Sequence, residues 1–530
     1  MADKWRVLVS DPVSEEGLAV LHADPSIEVV NKPGMEPAVL LQEIAEADAL
    51  IVRSQTKVTR EVIEAGKKLQ VIARAGVGVD NVDVPEATRR GVVVLNSPEG
   101  NTIAAAEQTI ALMLALSRNL PQAHASLAAG EWKRSAFTGV EVYGKVLGLV
   151  GLGKVATHVA RMARGLEMEV IVNDPYISRE HGERLGVTLV ELDELLRRSD
   201  YISLHVPLTR DTRGMLGAQQ IAAMKKGVRI VNTARGGVID EAALAEAISS
   251  GHVAGAALDV FEKEPPENCP LIGMKGVIAT PHLGAATEEA QVKVAVDVAE
   301  QIVDVLHGIP ARSAVNLPPV DAETLSRLSP YLGLAEKMGS LHAQLADGAV
   351  TAVEVTYSGE VAELDVSPLT RALLKGLLQH AVEESVNYVN AALVAESRGI
   401  KVTEAKSSTA GNYPSLLRVR AATDKGTREL DGTAFGKQDV RILRIDDYHV
   451  DFVPQGHLLI TRNVDQPGMI GKVGTIMGDA GINIAAMYFG RDRPRGTAVM
   501  VLAVDAVVPE KVRHQIGRVP GIESVTLAEL

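Results

Sequence analysis

The sequence predicts an α/β protein: two doubly wound parallel-sheet domains, then an α+β intervening domain and a small βαββαβ module at the C-terminus. Three observations lead there. Short apolar runs alternate with helical stretches as far as Leu306, the pattern of βαβ units around a parallel sheet. Ala, Val, Ile and Leu dominate while aromatic residues make up only 3%, as expected of strands buried on both faces by helices. The 530 residues also exceed what one core can serve, at roughly 100 to 200 residues per domain.

The first apolar runs are Arg6 to Val9, Gly17 to Leu21, Ala49 to Val52, Val71 to Ala73 and Val92 to Leu95. An apolar helix follows at Ala104 to Ser117. A second series then runs through Val146 to Val150, Val170 to Val172, Tyr201 to Leu204, Val228 to Val231, Ala254 to Leu258 and Val277 to Ala279. Helical spacing returns at Thr287 to Leu306, where Thr287 is available as the N-cap ahead of Glu288 and Glu289. Asn316-Leu317-Pro318-Pro319 cannot continue a helix and reads as a linker. Beyond it, Val350 to Tyr357, Ser415 to Ala421 and His449 to Val453 read as strands and Thr370 to Ala395 as helices. From His457 the order is strand, helix, strand, strand, helix, strand.

Composition narrows the function classes. Lys and Arg number 54 against 67 Asp and Glu, a net charge of −13, which argues against nucleic-acid binding because duplex affinity comes from cations neutralising phosphates. Cys269 is the single cysteine, so no intrachain disulfide forms and no metal site is expected. The run Thr109 to Leu116 falls far short of the ~20 residues that span a bilayer, so no membrane association and a cytoplasmic location are expected.

Two sets of residues carry chemistry. Strand Val146 to Val150 feeds Gly151-x-Gly153-x-x-Ala156 and then a helix, the context of a pyrophosphate site: Gly151 makes the tight turn, Gly153 lets the phosphates approach, and Ala156 is small enough for helix packing. Lys154 and Val155 lie at that helix start. Asp174, at the end of the next strand, can accept from the ribose hydroxyls, and its charge opposes the 2′-phosphate of NADP, so NAD is favoured. A P-loop is excluded because no Gly-Lys-Ser/Thr follows the glycines.

The second set is Asn232-Thr233-Ala234-Arg235-Gly236-Gly237, Asp259-Val260-Phe261-Glu262-Lys263-Glu264-Pro265 and Thr280-Pro281-His282-Leu283-Gly284, each following a strand. Ligands of open α/β sheets bind outside the carboxyl ends of strands, so an Arg, a Glu and a His should share one cleft. Hydride removal from a secondary alcohol needs a base near neutrality, which suits His282; a carboxylate such as Glu264 would fix its tautomer, and the Arg235 fork matches a substrate carboxylate.

These three segments resemble the signatures of the D-isomer-specific 2-hydroxyacid dehydrogenase family, over about residues 1 to 315. The resemblance implies Rossmann/flavodoxin-like domains, with 1–100 and 284–315 forming the substrate-binding domain and 101–283 the NAD-binding domain. It makes Arg235 the carboxylate anchor, Glu264 the histidine's partner and His282 the acid/base. It sets Thr233, Asp259 and the turn through Pro207 on the nicotinamide side, with Ala234 and Gly284 beside them. Ala156 stands for the third fingerprint glycine. The first-domain loops Val52-Arg53-Ser54-Gln55-Thr56-Lys57 and Arg74-Ala75-Gly76-Val77-Gly78-Val79-Asp80-Asn81 look like the family's substrate loops, in which backbone amides of the glycine-rich turn hold a carboxylate and Arg53 and Arg74 pair with a phosphate. In the family the segment after the long helix packs across a dimer, where Trp132 would anchor the contact and Arg134 would reach the neighbour's substrate.

Arg462-Asn463-Val464-Asp465-Gln466-Pro467-Gly468, followed by Gly481-Ile482-Asn483, resembles an ACT domain, a sensor attached to enzymes of amino-acid metabolism. Residues 455–530 would be that domain and 320–454 an intervening regulatory domain, with Lys437, Arg441, Arg444 and His449 as contacts for an anionic effector. Together the resemblances imply NAD-dependent oxidation of 3-phospho-D-glycerate, with L-serine held by Asn463, Asp465 and Asn483, in a homo-oligomer expected to be a tetramer. The rival readings are a broader 2-hydroxy-acid dehydrogenase, acting for example on 2-hydroxyglutarate, and an NADH-sensing corepressor scaffold; the intact Arg235, Glu264 and His282 set opposes the latter.

Overall fold

Twenty-two strands form four sheets in a computed structural model that describes residues 4–309, 311–318, 320–382, 386–436 and 439–530. The first sheet holds β1 (Trp5–Val9), β2 (Ile27–Asn31), β3 (Ala49–Val52), β4 (Val71–Arg74) and β5 (Val93–Asn96) in the order β2-β1-β3-β4-β5, all parallel. The second holds β6 (Val146–Val150), β7 (Glu169–Asn173), β8 (Thr188–Leu189), β9 (Tyr201–Leu204), β10 (Val228–Asn232), β11 (Val253–Leu258) and β12 (Val277–Ala279), also all parallel, ordered β12-β11-β10-β9-β6-β7-β8. The order reverses between β6 and β9, which opens a crevice at their carboxyl ends.

The apolar faces explain how the chain is threaded. Leu112, Met113 and Leu116 of the helix Thr102–Arg118 pack on Leu147, Leu149 and Ile278 of the second sheet. The helix Glu288–Leu306, capped by Thr287 as expected, returns to the first sheet and packs Val294, Val298 and Ile302 against Val7, Val9 and Ile51. Glycine is needed at position 17 for that return: a Cβ there would stand 2.7 Å from the Cβ of Ala295.

The third sheet is mixed, ordered β14-β13-β15-β16-β17-β18, from β13 (Val350–Gly359), β14 (Lys401–Ser407), β15 (Ser415–Thr423), β16 (Gly426–Phe435), β17 (Asp439–Ile445) and β18 (Tyr448–Phe452). The sequence pattern missed β14, β16 and β17. β14 is a largely exposed edge strand with Lys401, Glu404 and Lys406, so it carries no apolar alternation. The fourth sheet is antiparallel, ordered β20-β21-β19-β22, from β19 (His457–Val464), β20 (Ile484–Arg491), β21 (Thr497–Val504) and β22 (Ile522–Glu529).

The third and fourth sheets share one apolar core, in which Met338 and Leu341 of the helix Ala322–Leu345 join Leu458, Ile460, Val499, Val501 and Ala528. The end of that helix is tied to the last strand by an amide pair: Gln344 Nε2 donates to Glu529 O and Glu529 N donates to Gln344 Oε1, each at 2.9 Å. Asn387 Nδ2 donates to Gly91 O at 2.7 Å, tying the intervening region to the first domain. Among the described residues, no helix is long and apolar enough to cross a membrane, and no group of three His, Cys, Asp or Glu side chains could hold a metal ion.

Candidate active site

Three loops at the carboxyl ends of β10, β11 and β12 bring Arg235, Glu264 and His282 together. His282 Nδ1 lies 2.8 Å from Glu264 Oε2, and Phe261 N donates to Glu264 Oε1 at 3.1 Å. Half-burial pushes the Glu264 carboxyl up, but the His282 hydrogen bond and charge, the Phe261 amide and the Arg235 charge outweigh it and leave it below the usual carboxylate range. With Nδ1 committed to Glu264, proton exchange falls to Nε2 of His282.

The histidine loop is held from beneath by Asp259. This fully buried carboxylate accepts from Thr280 Oγ1 at 2.5 Å, Leu283 N at 2.7 Å and Gly284 N at 2.8 Å. His282 itself has φ of 55°, in the left-handed region that side chains other than glycine rarely adopt. The expected position of Asp259 on the nicotinamide side is therefore joined by a job the sequence did not reveal, fixing the backbone that carries His282.

Arg235 reaches the cleft from a turn stiffened by the buried Asn232, whose Nδ2 donates to Arg235 O at 2.9 Å and whose Oδ1 accepts from Ala234 N at 3.1 Å. Glycine is required at 236, where a Cβ would fall 1.8 Å from Phe261 O. Arg235 Nη1 donates to Ala234 O at 2.6 Å, and its Nε pairs with Asp80 Oδ2 of the first domain at 3.1 Å. Asp80 lies in the glycine-rich substrate loop expected after β4, but nothing in the sequence assigned it a role of its own.

The other substrate candidates are only partly brought together. Arg74 sits under Gly76, its Nε buried without a hydrogen-bond partner, and burial first and Arg235 second bring its guanidinium down to about 10. Arg53 lies close enough to add to that effect; its Nη1 donates to Pro12 O at 3.3 Å, and Ser54 is exposed beside it. Arg134 stands on an exposed turn, Arg134–Phe137, and makes no hydrogen bond or ion pair with these loops among the described residues.

The dinucleotide residues fit their cofactor. Gly151 has φ of 91° with His205 O only 2.9 Å from where a Cβ would be, whereas beside Gly153 nothing lies within 4 Å, room for a phosphate to approach the backbone. The helix Lys154–Gly165 starts there with no side-chain cap, leaving its first amides for an anion, and Ala156 is fully buried against the sheet. Lys154 pairs with Glu99, and Val155 is half-buried at the same helix start. Asp174 accepts from Leu152 N at 2.8 Å and Tyr176 N at 2.9 Å, so it braces the glycine turn and keeps lone pairs for a ribose. Thr233 shares a 2.6 Å hydrogen bond with Thr109. Pro207 follows His205, which burial lowers to about 4, so this second histidine stays neutral.

In the C-terminal module the expected effector residues lie apart. Asn463, Asp465 and Asn483 do not meet within one chain. β19 and β21 run antiparallel, as do β20 and β21, so Asp465 lies beside Arg491 and Arg495 at one end of the sheet while Asn483 donates to Asp505 at the other. Eight residues of β19 separate the ends, on the order of 25 Å. Asn463 points inward at 0% exposure, its Nδ2 on Val464 O. Of the intervening-domain candidates, Lys437 lies outside the described residues, Arg441 pairs with Asp439 and Asp451, and Arg444 with Glu429 and Asp431, so the two described arginines already face carboxylates. His449 lines a cleft with Arg418 and Arg444.

Comparison with known proteins agrees with this geometry. Residues 110–284 match the D-isomer specific 2-hydroxyacid dehydrogenase NAD binding domain, 327–446 the D-3-phosphoglycerate dehydrogenase intervening domain, and 457–521 the ACT domain. A D-3-phosphoglycerate dehydrogenase from Synechocystis sp. is 46% identical over 526 residues, 99% of this chain and 95% of the relative. The chain belongs to the D-3-phosphoglycerate dehydrogenase family. The family's enzyme from Bacillus subtilis is 44% identical over 99% of this chain and 100% of its own. A glyoxylate reductase from Paecilomyes thermophila superposes with a TM-score of 0.54 at 30% identity, covering 59% of this chain and 99% of its own. This member of the family is thus a dehydrogenase with NAD as its cofactor.

Proposed function

We propose that the enzyme oxidises 3-phospho-D-glycerate to 3-phosphooxypyruvate, the first step of L-serine biosynthesis, and that L-serine restrains it. The observation that carries the reading is the 2.8 Å pair of His282 and Glu264 beside Arg235, at the carboxyl edge of a sheet whose glycine turn fits NAD. NAD, held by the Gly151–Gly153 turn and Asp174, would supply the acceptor for the hydride from C2. His282 takes the hydroxyl proton on Nε2, and Glu264 stabilises the imidazolium that results. Arg235 holds the carboxylate, with backbone amides near Gly76 beside it, and Arg53 and Arg74 supply positive charge for the phosphate. In the reverse direction His282 gives the proton back.

NADH absorbance followed with a panel of 2-hydroxy and 2-oxo acids tests the substrate: 3-phospho-D-glycerate should have the highest kcat/KM, and a higher value for 2-hydroxyglutarate would overturn the reading. Cofactor choice rests on Asp174. Asp174→Ala should weaken NAD about ten-fold and narrow the gap to NADP, because the carboxylate that favours a ribose hydroxyl and opposes a phosphate is gone. An unchanged NAD-to-NADP ratio would assign that choice to another residue.

Serine sensing requires two modules. β20 pairs only with β21 among the described strands, and Met487 and Phe489 are exposed along it. If two β20 edges pair about a two-fold axis, they run antiparallel, and Asn483 of one chain comes to the Asp465 end of the other. Leu120, Leu127, Trp132 and Tyr143 are also exposed large apolar residues, Trp132 at 82%. A two-fold contact through these residues, added to a β20 pairing, would build a tetramer. Asp465→Ala should abolish inhibition by L-serine, read as a loss of at least 100-fold in inhibitory potency, while the uninhibited rate stays close to native. Inhibition that survives the substitution would remove Asp465 from the effector site.

A further inference from the structure

We infer that Asp80 is the positioning residue for Arg235, and that it reaches that arginine across the cleft between the two dehydrogenase domains. The inference rests on the reading of Arg235 as the substrate's carboxylate anchor. Asp80 belongs to the first domain, in the loop after β4; Arg235 belongs to the second, in the turn after β10. Their contact, Nε to Oδ2 at 3.1 Å, is an ion pair between the domains at the cleft itself.

The geometry decides what this carboxylate does. Its nearest approach is to Nε of the guanidinium, at 3.1 Å. Nη1 is turned onto Ala234 O at 2.6 Å, and Nη2 lies against the glycine loop, 2.1 Å from where a Cβ on Gly78 would stand. A guanidinium has five N–H donors, so the Nη1 and Nη2 edge still presents donors for a bidentate carboxylate beside that loop. A competitor for the substrate would occupy this outer edge. Asp80 instead sets a negative charge 3.1 Å from Nε, an ion pair that holds the guanidinium in the cleft from behind.

The loop around Asp80 is itself built to be stiff. Asn81 Nδ2 donates to Arg53 O at 2.8 Å and to Thr56 O at 2.7 Å, tying the Asp80 loop to the loop after β3. Asp80 also offsets a local excess of positive charge. Arg74, desolvated and repelled by Arg235 and Arg53, is drawn back toward its charged form by Asp80 and Asp11. One carboxylate thus orients the anchor and moderates repulsion among the three arginines without closing the place where an anion binds.

Steady-state kinetics on the full-length enzyme test this. Asp80 is 72% exposed by side chain, so Asp80→Asn should fold normally. It should raise KM for 3-phospho-D-glycerate about ten-fold, keep kcat within about two-fold, and leave NADH affinity by fluorescence titration unchanged. Asp80→Glu should recover a substantial part of the KM loss. An unchanged KM in Asp80→Asn, or one that falls as release of a competitor requires, overturns the inference. A wild-type enzyme whose Arg235→Gln variant keeps native KM would overturn instead the assignment of Arg235 on which the inference stands.

Discussion

His282→Gln is expected to lower kcat by about 10²- to 10⁴-fold while NADH affinity stays close to native, because acid/base assistance in the transition state is lost and the dinucleotide turn is untouched. The pair with Glu264 through Nδ1 is what makes the effect specific. Glutamine can still donate a hydrogen bond but cannot take up a proton near neutrality. His205 cannot substitute, since burial keeps it neutral and its Nε2 is engaged with Ser203 Oγ at 2.9 Å. Single-turnover oxidation of NADH with 3-phosphooxypyruvate would measure the step directly; native turnover in the variant would exclude His282 from proton transfer.

Asp259→Ala should be comparably severe for a different reason. The substitution leaves Leu283 N, Gly284 N and Thr280 Oγ1 without their buried acceptor. Each buried donor left unsatisfied costs about 1–3 kcal/mol, so a fall in stability of roughly 3 kcal/mol or more is expected in calorimetry. The loop that holds His282 at φ of 55° loses its clamp, and kcat should fall by at least about 10²-fold. Because the aspartate acts through the histidine, Asp259→Ala combined with His282→Gln should cost little more in kcat than His282→Gln alone. Additive losses would show that Asp259 contributes to turnover by another route.

The residues best legible in the sequence were those confined to one contiguous loop. Arg235, Glu264 and His282 each follow an apolar strand by a few residues, and the rule that ligands gather at carboxyl ends of strands is enough to bring them to one cleft. The central strands of the two parallel sheets were legible for the same reason, since strands buried on both faces announce themselves as apolar runs, whereas the edge strands β2 and β8 were missed and the run Gly17 to Leu21 lies in the helix Glu15–His22. What depended on register or on distant partners was not. The Arg235–Asp80 pair joins two domains and leaves no local pattern. Asn463 alternates inward with Thr461 along β19, and no residue-by-residue property distinguishes that from the outward choice. Asn483, just before β20, is placed by register in the same way, at the far end of the sheet from Asp465.

The core shared by the third and fourth sheets bears on how such a chain could be assembled from, or dissected into, transferable parts. A cut between Phe452 and His457 would respect the sequence families but strip Leu458, Ile460, Val499, Val501 and Ala528 from a buried cluster, and would remove the strand that Gln344 grips. The piece that can be grafted onto another dehydrogenase, or deleted from this one, therefore starts at the linker around Leu317 and includes everything after it. The intervening and ACT domains travel together as one cassette, and a gene fusion that carried the ACT domain alone would arrive with an uncovered apolar face.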